Sequence, residues 1–145
     1  MQIVPFSSEY SSRARSFVLG VLSEEGFDYD PLKDSDLDDL HSSYFHNGGA
    51  FFLSLHREKL IGTSAVKNLG CGVCEIKRLY VKKECRGKGI GLSLFLTALE
   101  FAKKDHLCIK LKTDSSLKKA ISMYLKSGFV VVKKNNGTMW FERHL

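Results

Sequence analysis

Residues 77–96, reading KRLYVKKECRGKGIGLSLFL, limit the fold of this chain more than any other stretch. Leu79 and Val81 alternate like a strand. Arg86, Gly87, Lys88, Gly89 and Gly91 make a turn, and Leu92, Phe95, Leu96 and Leu99 then recur at helical spacing. A strand that enters a helix through glycines aims unpaired N–H groups and the positive end of the helix dipole at one point. That point suits a phosphate, and glycine lets the phosphate approach the backbone closely. Spacing excludes two common phosphate loops. Gly87-Lys88 is followed by Gly89, so the Ser or Thr hydroxyl that would hold magnesium is missing. Gly87-x-Gly89 and Gly89-x-Gly91 lead to Leu92 and Leu94, where a dinucleotide fingerprint needs glycine. What remains is Arg86-x-x-Gly89-x-Gly91 behind a strand, which alone also fits a plain helix start with solvated lysines.

The rest of the chain supplies a context. Ile3-Val4 before Pro5 predicts a short strand, and about Glu9 to Leu22 a helix with Phe17, Val18, Val21 and Leu22 inward. The loop EEGFDYDPLKDSD follows, with Gly26 and Pro31 as stops; Asp36 is placed to cap a second helix, Leu37 to Tyr44, ended by Asn47-Gly48-Gly49. Ala50–Leu55, Leu60–Val66 and Val73–Val81 read as strands. The long helix runs to about Lys104, with Ser93, Thr97, Glu100 and Lys104 as its solvent stripe. Leu107–Lys112 is a strand, and a strand–helix–strand unit places it parallel to Val73–Val81. A helix at Leu117–Lys126, capped by Gly128, precedes a hairpin of Phe129–Lys134 and Thr138–Arg143 around Asn135-Asn136-Gly137. The expectation is one α/β domain over residues 1–145, a mixed, mostly antiparallel sheet of about seven strands with flanking helices.

This order resembles the GNAT-type N-acetyltransferase superfamily over nearly the whole chain, and three motifs carry the resemblance. Arg86-x-x-Gly89-x-Gly91 is similar to its R/Q-x-x-G-x-G/A loop, Ala120-x-x-x-Tyr124-x-x-x-Gly128-Phe129 to its last helix and strand, and Glu75-Ile76-x-x-Leu79-x-Val81 to its central strand. The resemblance implies acetyl-CoA as acyl donor, with pantetheine between the strands at 73–81 and 107–112. The backbone of Leu79, Tyr80 and Val81 would meet it, with the Leu79 N–H as oxyanion donor, while Arg86, Gly87, Lys88, Gly89, Ile90, Gly91 and Leu92 hold the pyrophosphate. Direct attack by an amine is implied, without an acyl-enzyme or a metal. Tyr124 matches the tyrosine that protonates the leaving thiolate, and Glu75 is the best-placed base; the plainer alternatives are a packing tyrosine and a strand-end carboxylate paired with lysine. The family often has Asn seven residues before the tyrosine. Here Leu117 stands there, and Ser115 or Ser116 is the replacement to consider.

Charge sharpens the choice of partners. Eight of the 16 acidic residues lie in 24–39, whereas 77–134 holds 15 Lys or Arg against four acids. The basic half suits a polyphosphate cofactor. The acidic loop, with Phe27, Tyr29 and Tyr44 as wall residues, suits a cationic acceptor, either a small-molecule or a protein amine. Nucleic acid ranks last, because interleaved aromatics and a helix-turn-helix are missing. The alternative to an enzyme is a non-catalytic acyl-CoA-binding module. Cys71-x-x-Cys74 lacks the second ligand pair of a zinc site, and the five histidines show no ligand spacing. No stretch reaches the length of a membrane span and no export signal is legible, so the four cysteines are expected as free thiols in a cytoplasmic protein. Family habit allows a homodimer.

Overall fold

The computed structural model describes residues 1–145. Its strands are β1 (Gln2–Pro5), β2 (Ala50–His56), β3 (Lys59–Gly70), β4 (Val73–Val81), β5 (Cys108–Asp114), β6 (Val130–Asn135) and β7 (Thr138–His144). They form one sheet in the order β1-β2-β3-β4-β5-β7-β6. Only β4 and β5 run parallel, joined by the expected crossover helix. The β6–β7 turn puts Asn136 and Gly137 at φ of 49° and 80°, the left-handed pair that an Asn-Gly hairpin requires. No helix is long and apolar enough to cross a membrane.

Alternate residues of each strand face opposite sides, so the sheet has two cores. Helix α1 (Ser11–Glu24) and the segment after it cover one face, where Val18, Leu37, Leu40 and Tyr44 pack on Phe51, Leu53 and Ala65. Helices α2 (Ile90–Asp105) and α3 (Lys118–Lys126) cover the other, where Phe95, Ala98, Leu99 and Tyr124 pack on Val66, Ile76, Ile109 and Phe141. Close approach of α2 needs Gly62 on β3, where a Cβ would lie 2.7 Å from Leu94 Cδ1 and 3.0 Å from the Tyr80 carbonyl.

Two expectations are corrected. The α2 stripe is rotated: Ile90, Leu94, Phe95, Ala98, Leu99 and Ala102 are buried, while Leu92 and Leu96 are 47% and 43% exposed. Nearly every residue in 90–99 is apolar, so periodicity alone could not fix the phase. The structure sets small Ala98 and Ala102 against the sheet. The predicted helix Leu37–Tyr44 is instead two short turns, Ser35–Asp38 and His41–Phe45, because Asp36 does not cap a helix and is buried in an ion pair.

Pairing of β3 with β4 contains a bulge. Thr63 faces Tyr80 and Ala65 faces Lys77, so Arg78 and Leu79 together oppose Ser64. Arg78 takes φ of 55°, and the Thr63 hydroxyl donates to its carbonyl at 2.8 Å. The bulge puts Lys77 and Arg78 on the same side of the strand, with the next residues re-aimed.

Candidate active site

β4 and β5 pair only at Val73–Cys108, Cys74–Ile109 and Glu75–Lys110, then part. From Ile76 to Val81 the β5-facing edge of β4 therefore has no strand partner. A cleft of about 1210 Å³ opens there, between β4 and its following loop on one side and β5 and α3 on the other. It extends to the acidic loop at Glu25, Phe27, Asp28, Asp30 and Asp34. The sequence candidates come together on it. Glu75, Leu79, Tyr80, Val81, Arg86, Gly87, Ile90, Gly91, Leu92 and Tyr124 all line the cleft, whereas Lys88 and Gly89 lie in the same loop outside the lining.

The loop end of the cleft is built as an anion cradle. Gly87 and Gly89 adopt φ of 80° and 82°, turning the chain so that α2 starts at Ile90. The first bond of the helix is Ser93 N–H to the Gly89 carbonyl, and no backbone or side-chain acceptor of the chain takes an N–H from residues 87–92. Six consecutive donors at a helix N-terminus fit a pyrophosphate. The Arg86 side chain is not spread over them; its Nε donates to the Val81 carbonyl at 3.0 Å.

Tyr124 sits on α3 among Phe95, Phe129 and Phe141, with ring centroids 5.3, 6.5 and 5.6 Å away. Burial pushes its phenol up to about 12, so the hydroxyl holds its proton at neutral pH. No hydrogen bond within the chain engages that hydroxyl. Glu75 stands where the strands begin to part and makes no ion pair, although Lys67 and Lys110 are its register neighbours. Tyr80 turns away from Leu79 and Val81 and packs on the α1 side, as the alternation predicts.

A buried network absent from the sequence reading fixes the acidic loop. Arg78, 8% exposed, donates from Nη2 to Asp36 at 2.7 Å, to Asp34 at 3.0 Å and to the Lys33 carbonyl at 3.1 Å, and from Nε to Asp36 at 3.0 Å. The Tyr44 hydroxyl donates to the same Asp36 carboxylate. Burial alone would raise Asp36, but the Arg78 and Tyr44 hydrogen bonds and the Arg78 charge hold it below the usual carboxylate range. Asp34 and Asp36 thus share one buried cation that offsets one of their two charges, and the cleft carboxylates of the loop without a cation partner are Glu25, Asp28 and Asp30. The wall aromatics are corrected as well: Phe27 lines the cleft, Tyr29 bonds to Asp38 outside it, and Tyr44 is fully buried in the core. A second basic residue directly after Lys77 in β4, with a run of aspartates upstream in the chain, was the available signal.

At the Leu117 departure Ser116 lines the cleft, with its donors already committed to Asp114. Its hydroxyl and N–H both donate to Asp114 Oδ1, at 2.6 and 2.8 Å. Leu117 itself is exposed at the mouth of the cleft beside Lys118 and Lys119. The four cysteines are free thiols, with Cys71 exposed in the turn and Cys74 buried on β4.

Comparison with known proteins agrees with this geometry. Residues 17–129 match the family model described as Acetyltransferase (GNAT) family. Uncharacterized N-acetyltransferase YjgM of Escherichia coli (strain K12) is 29% identical over 115 residues, 76% of this chain and 66% of that protein. Streptothricin acetyltransferase A of Bacillus subtilis (strain 168) is 32% identical over 111 residues, 75% of this chain and 64% of that one. The chain thus spans just under two thirds of the length of these relatives. Among solved structures, an acetyltransferase of the GNAT family from Staphylococcus aureus Mu50 superposes with a TM-score of 0.86 at 22% identity, covering 99% of this chain and 98% of that one. PaiA N-acetyltransferase from Thermoplasma acidophilum, solved in complex with coenzyme A, gives a TM-score of 0.75 at 22% identity with both chains fully covered.

Proposed function

The chain belongs to the acetyltransferase (GNAT) family, and on that premise we propose that it moves an acetyl group from acetyl-CoA directly to a primary amine of a small molecule or protein. One observation carries the reading: β4 and β5 part beyond Glu75, and six unpaired N–H groups stand at the foot of the gap. Those donors hold the pyrophosphate, and the free edge of β4 at Leu79 and Val81 meets the pantetheine arm. Lys118 and Lys119 add positive charge at the cleft mouth. Bound acetyl-CoA supplies a thioester carbon open to attack.

The chain's own groups then divide the work. Glu75 takes a proton from the ammonium acceptor, directly or through water, freeing a lone pair. As the new C–N bond forms, the Leu79 N–H, re-aimed by the bulge, donates to the carbonyl oxygen where negative charge grows. When the C–S bond breaks, Tyr124 passes its proton to the departing sulfur; its high pKa keeps that proton available throughout the neutral range. Glu25, Asp28 and Asp30 favour a cationic acceptor.

Thermal unfolding with and without acetyl-CoA, in wild type and Gly91→Glu, tests the cradle. Gly91 has ordinary helical backbone, and a Cβ there meets only Val81 Cγ2 at 3.6 Å, so the variant folds; its carboxylate would occupy the phosphate position. A stabilised wild type and an unresponsive variant support the reading, and an unresponsive wild type refutes it. A second reading, a non-catalytic acyl-CoA module, is favoured by Leu117 and the engaged Ser116 hydroxyl. Stabilisation without release of CoA thiol across a broad amine panel would decide for it.

A further inference from the structure

The opposite end of β5 carries a second cluster that the transfer reaction does not use. Cys108 lies directly across from His144 in the β5–β7 register, and Glu142 is two residues along on the same face. Cys108 Sγ is 3.9 Å from His144 Nε2 and 3.9 Å from Glu142 Oε1, and those two atoms are 3.0 Å apart. The three donor atoms form a compact triangle, all within 4.8 Å of one another. Around a tetrahedral zinc ion, bond lengths of about 2.3 Å to sulfur and about 2.0 Å to nitrogen or oxygen imply edges of roughly 3.5 Å and 3.3 Å. The observed triangle differs from that by about 0.4 Å or less, within the reach of small side-chain rotations. Lys110 faces Glu142 in the register, yet the carboxylate is turned to His144 and makes no ion pair with the lysine.

We propose that Cys108, Glu142 and His144 bind one divalent cation of the zinc class. A thiolate and an imidazole beside one carboxylate select a thiophilic ion over magnesium or calcium. His144 is 71% exposed at its side chain, so the fourth coordination position opens to solvent. Binding breaks the Cys108 S–H bond and releases that proton to water, while the Nε2 proton of His144 that faces Glu142 passes through water to Nδ1; the thiolate, one Glu142 oxygen and the freed Nε2 then each donate a lone pair. A thiol ligates as its thiolate, so the ion must displace its proton and binding strengthens as pH rises. The ligands come from two strands, and a bound ion would fasten the last strand, β7, to β5. The cleft begins at Leu111, further along β5, so the site is separate from the acetyl-transfer machinery. Spacing along the sequence could not reveal it, because cross-strand register alone brings residue 108 beside residues 142 and 144.

The test uses the untagged full chain, freed of metal by chelation, and Co²⁺ as a spectroscopic stand-in for Zn²⁺. Expected are one ion per chain, a thiolate-to-cobalt charge-transfer band, about one proton released per ion, and displacement by Zn²⁺. Cys108→Ser should abolish the band, while Glu142→Gln and His144→Ala should each weaken binding by about tenfold or more. Cys71→Ser, at the exposed thiol, should change nothing. A missing band, a band that survives Cys108→Ser, or one that disappears with Cys71→Ser would overturn the proposal. So would unaltered affinity in both Glu142→Gln and His144→Ala. Circular dichroism of each variant separates loss of the site from loss of the fold.

Discussion

The two walls of the cleft are held by different physics. On one side, β4 and the acidic loop are joined by a buried arginine that meets two carboxylates and a carbonyl. On the other, α3 is held by rings, with Tyr124 set among Phe95, Phe129 and Phe141. A buried ion pair adds little net stability, because desolvation offsets most of its attraction, but losing one partner strands the other. Ring packing is indifferent to a hydroxyl. The charged wall therefore fixes a loop in one position, and the apolar wall can leave a phenol free for chemistry.

The largest expected effect is on the charged wall. Arg78→Met leaves Asp34 and Asp36 buried without a cation and should cost about 3–5 kcal/mol in urea unfolding. Neutralising the carboxylates as well, in Arg78→Met with Asp34→Asn and Asp36→Asn, should recover most of that loss. A single-variant loss below about 1 kcal/mol would mean that the loop is not held by charge, and the contrast between the walls would fail.

The same contrast explains what was legible in the sequence. The apolar wall, the Gly-rich loop and the strand order were readable because they rest on local signals: alternation on β4, glycines before α2, and Asn136-Gly137 in the last turn. The charged wall was not, since Arg78 meets Asp34 and Asp36 across more than forty residues and only folding reveals the match. Its aspartates looked like a surface for cations when two of them were already held by Arg78 inside the fold. Tyr44 was misassigned for the same reason, its hydroxyl being satisfied by Asp36 inside the core. Leu92 and Leu96 show a different limit: where nearly every residue is apolar, period is visible and phase is not.

A smaller effect should separate packing from chemistry on the apolar wall. Tyr124→Phe keeps the ring contacts and removes a hydroxyl that bonds nothing in the chain. Stability should change by no more than about 0.5 kcal/mol, while kcat for acetyl transfer falls about 100-fold, equivalent to about 2.7 kcal/mol of transition-state stabilisation. CoA-induced stabilisation should persist. Unchanged kcat across the pH range would make Tyr124 a packing residue only and leave the proton for sulfur to water.

The subtlest difference is in how the walls respond to pH. Asp36 has a lowered pKa in the fold, so its contribution is complete above the ordinary carboxylate value of about 3.9 and is lost as pH falls through the folded value. Tyr124 has a raised pKa, so its contribution is complete below the ordinary phenol value of about 10 and is lost as pH climbs toward about 12. The charged wall should weaken in acid and the apolar wall in alkali. Tyr44, raised by its burial and by the Asp36 charge, adds an alkaline share on the charged side. Urea midpoints measured across both limbs should show Asp36→Asn with a shallower acid limb, and with a somewhat shallower alkaline limb because the Asp36 charge no longer raises Tyr44. Tyr124→Phe should leave the acid limb unaltered, its alkaline limb shallower but not flat because Tyr44 still titrates. If Asp36→Asn leaves the acid limb as steep as in wild type, other carboxylates govern acid unfolding, and the ion pair orders the loop without setting its pH response.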